Sequence, residues 1–268
     1  MNFILSAFLA GLMTWLITAL GAGVVIFYKK YAGSAVGKTL GFSAGVMLAS
    51  SFWSLLEPSV NDYSYALTLP VWVGVSLSFA LGAFMILAVD RAGRIISSHA
   101  NVGENRGLFL MILGITAHNI PEGLAVGVAF GAIADGYSRE ALIGAVSVAV
   151  GIGIQNFPEG AAVSLPMRQK GFSRTKSFFA AQATALVEPI FAVAGAVCAS
   201  RAVSLLPLSL SFAAGNMITV CAHEVIPECK TEGGGYSQTV WIIIGFVIMT
   251  VLDLAFGDEF KCKFIVYV

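Results

Sequence analysis

The sequence predicts an all-α integral membrane protein of eight transmembrane helices, and three observations carry that prediction. Of the 268 residues, 57% are hydrophobic and only 11% are charged, with a mean hydropathy of +0.86; soluble domains carry about a quarter charged residues. Apolar stretches recur along the whole chain at the length of a bilayer span, about 20 residues. The connections between them are short, and their basic residues fall mainly on alternate sides.

The eight spans are placed at about residues 2–28, 37–56, 69–89, 108–134, 141–166, 177–200, 202–226 and 238–256. The first is not a signal peptide, because Lys29 and Lys30 follow its apolar run instead of preceding it. The seventh is the least regular, with Pro207 inside it. Connections after spans one, three, five and seven hold Lys29, Lys30, Lys38, Arg91, Arg94, Arg106, Arg168, Lys170, Arg174, Lys176 and Lys230. The opposite side holds only Arg139, Arg201, Lys261 and Lys263. The positive-inside bias therefore predicts a multi-pass protein of the cell (inner) membrane with both termini extracytoplasmic. Residues 1–257 form a single transporter domain on this reading, and the tail 258–268 has no assigned role. A net charge of zero gives no reason to expect a nucleic-acid partner. The four cysteines show no Cys-x-x-Cys spacing and read as reduced packing residues.

One phrase is written twice. His118-Asn119-Ile120-Pro121-Glu122-Gly123 lies in span four, and Gln155-Asn156-Phe157-Pro158-Glu159-Gly160 lies in span five. Proline frees the carbonyl four residues back and predicts a kink. On a helix, His118, Asn119 and Glu122 share one face, as do Gln155, Asn156 and Glu159. Two such faces opposed make a pocket of one imidazole, two carboxylates and several amides. A second, weaker similarity links Gly41-Phe-Ser-Ala-Gly-Val-Met47 in span two with Ser211-Phe-Ala-Ala-Gly-Asn-Met217 in span seven. Those spans run in opposite directions, which is the mark of an inverted repeat.

Charge sharpens the reading. Glu122, Glu159 and Glu188 fall near mid-depth with no Lys or Arg at that level. An ionised carboxylate at that depth costs at least ~2.5–3.5 kcal/mol. Either the three bind protons or a cation supplies the missing charge. Imidazole beside carboxylate and amide oxygens suits Zn²⁺, Fe²⁺, Mn²⁺, Co²⁺ or Cd²⁺, as a transported substrate and not as a resident cofactor. An all-oxygen site for Mg²⁺ or Ca²⁺ has no use for His118. His223 and Glu224, with Glu228 beyond Pro227, mark a possible exit site at the cytoplasmic end of span seven. His99 in the basic connection, and Asp62, Asp135 and Glu140 on the outer face, are explained by solvation.

The motif pair resembles that of the ZIP (Zrt/Irt-like) metal transporter family, most closely its GufA-like bacterial branch. The resemblance extends over about residues 3–257. It implies a homodimer of eight-helix 3+2+3 bundles that moves divalent metal to the cytoplasm by an elevator-like motion. It further implies a first metal held by Met47, His118, Glu122, Gln155 and Glu159. A second would be held by Asn119, Glu122, Asn156, Glu159 and Glu188. Gln155 and Asn156 stand where many members of the family have His or Asp, which removes charge from the second position. Two rival classes remain. An intramembrane metallohydrolase would need His-Glu-x-x-His, and neither His118 nor His223 begins that pattern. A proton-coupled solute carrier would use the glutamates as relays but leaves His118 and the duplicated amides without a purpose.

Overall fold

A computed structural model describes residues 2–27, 33–61, 69–99, 106–135, 138–199, 206–231 and 235–265. Lys29, Lys30, Asp62 and Arg201 lie outside the described residues, as do the side chains of His99, Arg106, Asp135, Glu140, Lys261, Cys262 and Lys263. Every regular element among the described residues is helical, as apolar runs of this length require where no water can satisfy an open backbone.

Eight rods follow one another. The first is α1 (Phe3–Ala22), and the second joins α2 (Gly33–Ser50) through a π turn (Ser51–Leu56) to α3 (Glu57–Asn61). Next come α4 (Val71–His99), α5 (Arg106–Gly131) and α6 (Arg139–Gln169). The sixth rod is broken into α7 (Arg174–Thr184) and α8 (Val187–Ala199). The seventh joins α9 (Leu206–Val220) through a second π turn (Cys221–Val225) to α10 (Ile226–Thr231), and α11 (Gly235–Ile265) is the eighth. Among the described residues, seven of them are long and apolar enough to cross a membrane, the seventh rod being the exception. Two boundaries differ from the sequence reading. Helix α4 continues to His99, so Asp90, Arg91 and Arg94 sit on a helix and not in a connection. Helix α11 runs into the tail as far as Ile265. Pro121 and Pro158 both lie inside continuous helices.

The rods sort into two groups. Helices α1, α5, α6 and the α7–α8 rod pack on one another; α2 packs on α11 and α4 on α9. The groups meet along two seams, α2 against α6 and α5 against α9. The motif helices α5 and α6 touch each other and members of both the first and the last three rods, the arrangement expected of a 3+2+3 bundle.

Glycine sets the spacing in both halves by one rule. Gly45 of α2 lies against the Ile242 carbonyl of α11, and Gly215 of α9 against the Phe79 carbonyl of α4. Gly245 lies against Phe42, and Gly82 against Phe212. Gly41 faces Gln238, while Ser211 Oγ donates to the Val75 carbonyl at 2.7 Å. Each contact maps onto its mate at one constant register, and the two π turns fall at that same register. The weak repeat between Gly41–Met47 and Ser211–Met217 is thus one half of an inverted repeat that also relates α4 to α11. Of the three free cysteines among the described residues, Cys221 and Cys229 are buried packing residues bonded to the carbonyls of Ala44 and Gly37, and Cys198 is exposed.

Candidate metal centre

The two Pro-Glu-Gly faces meet in the middle of the first helix group. Glycine after each motif glutamate makes that possible. A Cβ at Gly123 would stand 2.6 Å from the Glu188 carbonyl oxygen, so α8 lies directly on α5. Gly160 lets α1 approach until the Thr18 carbonyl fills the place of a side chain. These contacts carry Glu188 and Thr14 to the motif layer. The break between α7 and α8 comes immediately before Glu188.

His118, Asn119, Glu122, Gln155, Asn156 and Glu188 are fully buried, and Glu159 is 1% exposed. His118 Nε2 lies 3.2 Å from Glu159 Oε2 and 3.9 Å from Glu122 Oε2. Gln155 Nε2 donates to Glu122 Oε1, and Ser50 Oγ of α2 donates to Gln155 Oε1. Asn156 Nδ2 reaches both oxygens of Glu188, at 3.0 and 2.9 Å, and the Thr14 carbonyl at 3.4 Å. Six polar atoms of this layer have no hydrogen-bond partner: His118 Nδ1, both amide atoms of Asn119, Glu122 Oε2, Asn156 Oδ1 and Glu159 Oε1. At ~1–3 kcal/mol for each unsatisfied buried group, the layer costs on the order of 10 kcal/mol, comparable with the whole stability of a domain. Four of the six are lone-pair oxygens. Such a set is suited to a cation and gives an apolar occupant nothing.

His118, Glu122 and Glu159 each offer a ligand atom, all within 4.8 Å of one another. Glu188 and Asn156 pair beside this trio. Met47 is buried in the main apolar cluster, and its carbonyl accepts from Ser51 Oγ at 2.7 Å.

The sequence has known counterparts. The ZIP zinc transporter family profile matches residues 97–253. The chain is 34% identical to the zinc transporter GufA of Myxococcus xanthus, over 92% of this chain and 98% of that one. It is 36% identical to the zinc transporter ZIPB of Bordetella bronchiseptica, over 94% and 81%. With the zinc transporter ZIP11 of Xenopus tropicalis the identity is 33%, over 95% and 98%. The chain belongs to the ZIP zinc transporter family.

A second cluster sits where α4 and the seventh rod meet. His223 Nε2 is 3.5 Å from Asp90 Oδ2 and 3.9 Å from Glu224 Oε1, and the three offer ligand atoms within 4.8 Å of one another. Arg94 Nε holds Asp90 Oδ2 at 2.6 Å. Of the three exit residues expected from the sequence, His223 and Glu224 are together. Glu228 stands apart, 3.8 Å from Lys170 Nζ. Asp90 was missed, because the sequence places it at the start of a loop. Its longer helix brings it to the π turn that carries His223. At the repeat register the mate of this cluster is Asp253 with Ser54, bonded at 2.7 Å, and Trp53, whose indole donates to Thr250. Membership of the ZIP family makes this chain a transporter and not an enzyme, and the metallohydrolase reading falls with it.

Proposed function

We propose that the chain carries Zn²⁺, or a related dication, to the cytoplasm through the layer formed by the two Pro-Glu-Gly helices. The convergence of unpartnered carboxylate and amide oxygens around His118 is the single observation that supports this reading best. His118, Glu122 and Glu159 supply one nitrogen and two anionic oxygens, a donor set of the kind that holds exchangeable zinc. Two carboxylates against one dication leave the site neutral, which removes the cost of carrying charge through the bilayer. Met47 and Gln155 complete the first position, as the family resemblance implies. Asn119, Asn156 and Glu188 hold a second position, with Glu122 and Glu159 shared between the two. The trio Asp90, His223 and Glu224 receives the ion on the cytoplasmic side. The termini lie outside, and two copies form the working unit.

The names of the relatives support zinc as the cargo. Uptake of radiolabelled Zn²⁺ into proteoliposomes tests the reading, with Cd²⁺, Fe²⁺ and Mn²⁺ as competitors. The expected result is saturable Zn²⁺ uptake that Glu122→Gln abolishes without loss of the folded protein. Undiminished uptake by that variant would remove the paired-motif layer from the path.

A further inference from the structure

Most hydroxyls inside this bundle bond their own rod; Ser43 and Ser211 instead reach the carbonyls of Pro158 and Val75 in a neighbouring rod, and Ser50 crosses to a side chain of the metal layer. Thr14, Thr18, Ser51, Thr116 and Thr184 all donate to a carbonyl three or four residues back in their own rod. This bond spares a lone hydroxyl the cost of burial and serves no other group. Ser50 has the same option and does not take it. It is fully buried at the last position of α2, immediately before the π turn, and its Oγ crosses the seam to Gln155 Oε1. The other end of that amide bonds Glu122.

The orientation of the amide follows from chemistry. An ionised Glu122 only accepts, so it must face the NH₂ group, and the carbonyl is left for Ser50. In the metal-free layer Gln155 therefore stands as a neutral donor to Glu122 where the dication would be. A dication repels that NH₂ group and attracts the carbonyl, so loading requires the amide to reverse. The NH₂ group would then face residue 50. A hydroxyl donates to a carbonyl and accepts from an N–H equally well; a methyl group does neither, and a buried N–H left alone is the costlier orphan.

We propose that Ser50 is a positioning residue for Gln155: its hydroxyl serves both faces of the amide, so that Gln155 switches from donor to Glu122 into oxygen ligand of the ion. This rests on the metal reading of the paired-motif layer. It gives Ser50 a role in how tightly the ion is held, although Ser50 itself touches no metal.

The test is a double-mutant cycle on Zn²⁺ affinity of the whole protein in detergent, measured by competition with a chelating dye. Ser50→Ala should weaken binding about tenfold, the worth of one buried hydrogen bond. Ser50→Thr, which keeps the hydroxyl, should stay within about twofold of wild type. Gln155→Leu should weaken binding at least as much as Ser50→Ala. Adding Ser50→Ala to it should change nothing further, because Ser50 acts only through the amide. Ser50→Cys replaces Ser50→Ala should the latter not fold. Unchanged affinity in folded Ser50→Ala, or losses that multiply in the double variant, would overturn the role of Ser50. Glu122→Gln run alongside separates the two ideas. If it too keeps full affinity, the site itself is wrong; if it alone loses the metal, only the Ser50 inference falls.

Discussion

Glu122 and Glu159 face one another across α5 and α6 with His118 between them, and among the described residues neither pairs with a Lys or Arg. Replacing either by Gln keeps the shape and removes one negative charge. The metal-free protein should be as stable as wild type or slightly more so, because like-charge crowding is relieved. Zn²⁺ should raise the melting temperature of wild type through preferential binding to the folded state, by about 2.7 kcal/mol at a hundredfold excess over Kd. Neither variant should show more than a small part of that shift. An undiminished shift in thermal unfolding would exclude the substituted glutamate as a ligand. Asn156 behaves differently. Its NH₂ group bonds both oxygens of Glu188, so Asn156→Asp sets carboxylate against carboxylate. That variant should melt lower than wild type without metal and gain more from saturating Zn²⁺. A metal-free melting temperature equal to wild type would show that the Asn156–Glu188 bond is idle.

At the scale of elements, the glycines are the pieces that cannot be exchanged. Gly45 and Gly215 lie against the Ile242 and Phe79 carbonyls, with no room for a Cβ. Alanine at either must push two helices apart, at about 1–3 kcal/mol for an overpacked interior. The inverted repeat makes the two costs equal. The melting temperatures of Gly45→Ala and Gly215→Ala should fall together, while the metal-induced shift survives in Gly215→Ala, since the α4–α9 pair carries no residue of the paired-motif layer. Gly160→Ala should instead lower both, because α1 would be pushed from α6 at the level of Asn156 and Thr14. A Gly160→Ala variant with an intact metal shift would mean that the approach of α1 is not needed for the site. The π turns belong to the same scale. The second of them carries His223 and Glu224 and sets them beside Asp90 of α4.

For the whole molecule the open quantity is direction. Eleven of the fifteen Lys and Arg residues fall in the sequence on one side of the alternating spans, and the positive-inside bias predicts that this side faces the cytoplasm. Thr175, exposed near the start of α7, reports on it. Thr175→Cys, in a background without the native cysteines, should react with a membrane-impermeant thiol reagent only after the cytoplasmic face is opened. Labelling in intact cells would invert the topology and, with it, import into export. The two seams bear on motion. One is tied by hydroxyls, with Ser43 Oγ on the Pro158 carbonyl at 2.9 Å and Ser50 on Gln155. The other, between α5 and the α4–α9 pair, holds a cavity of about 220 Å³ lined by Ser78, Pro121, Leu124, Leu208, Ser209 and Phe212.

Composition and periodicity alone determined the eight rods, because a helix in lipid must satisfy its own backbone and each span is therefore a local decision. The duplicated Pro-Glu-Gly phrase likewise marked the candidate site, since three carboxylates in apolar spans call for protons or a cation wherever the helices go. What the sequence could not show depends on which helix faces which. Ser50 reads as one more small residue in an apolar stretch until the seam puts Gln155 opposite it. Asp90 reads as a loop residue, and only the continuation of α4 to His99 lays it against His223. Glu228 shares the sequence neighbourhood of His223, but the turn of the rod gives it to Lys170. Contacts along one helix are fixed by its pitch and are legible at a distance of three or four residues. Contacts between helices are fixed by where glycine allows two backbones to touch, and that is decided only when the whole bundle closes.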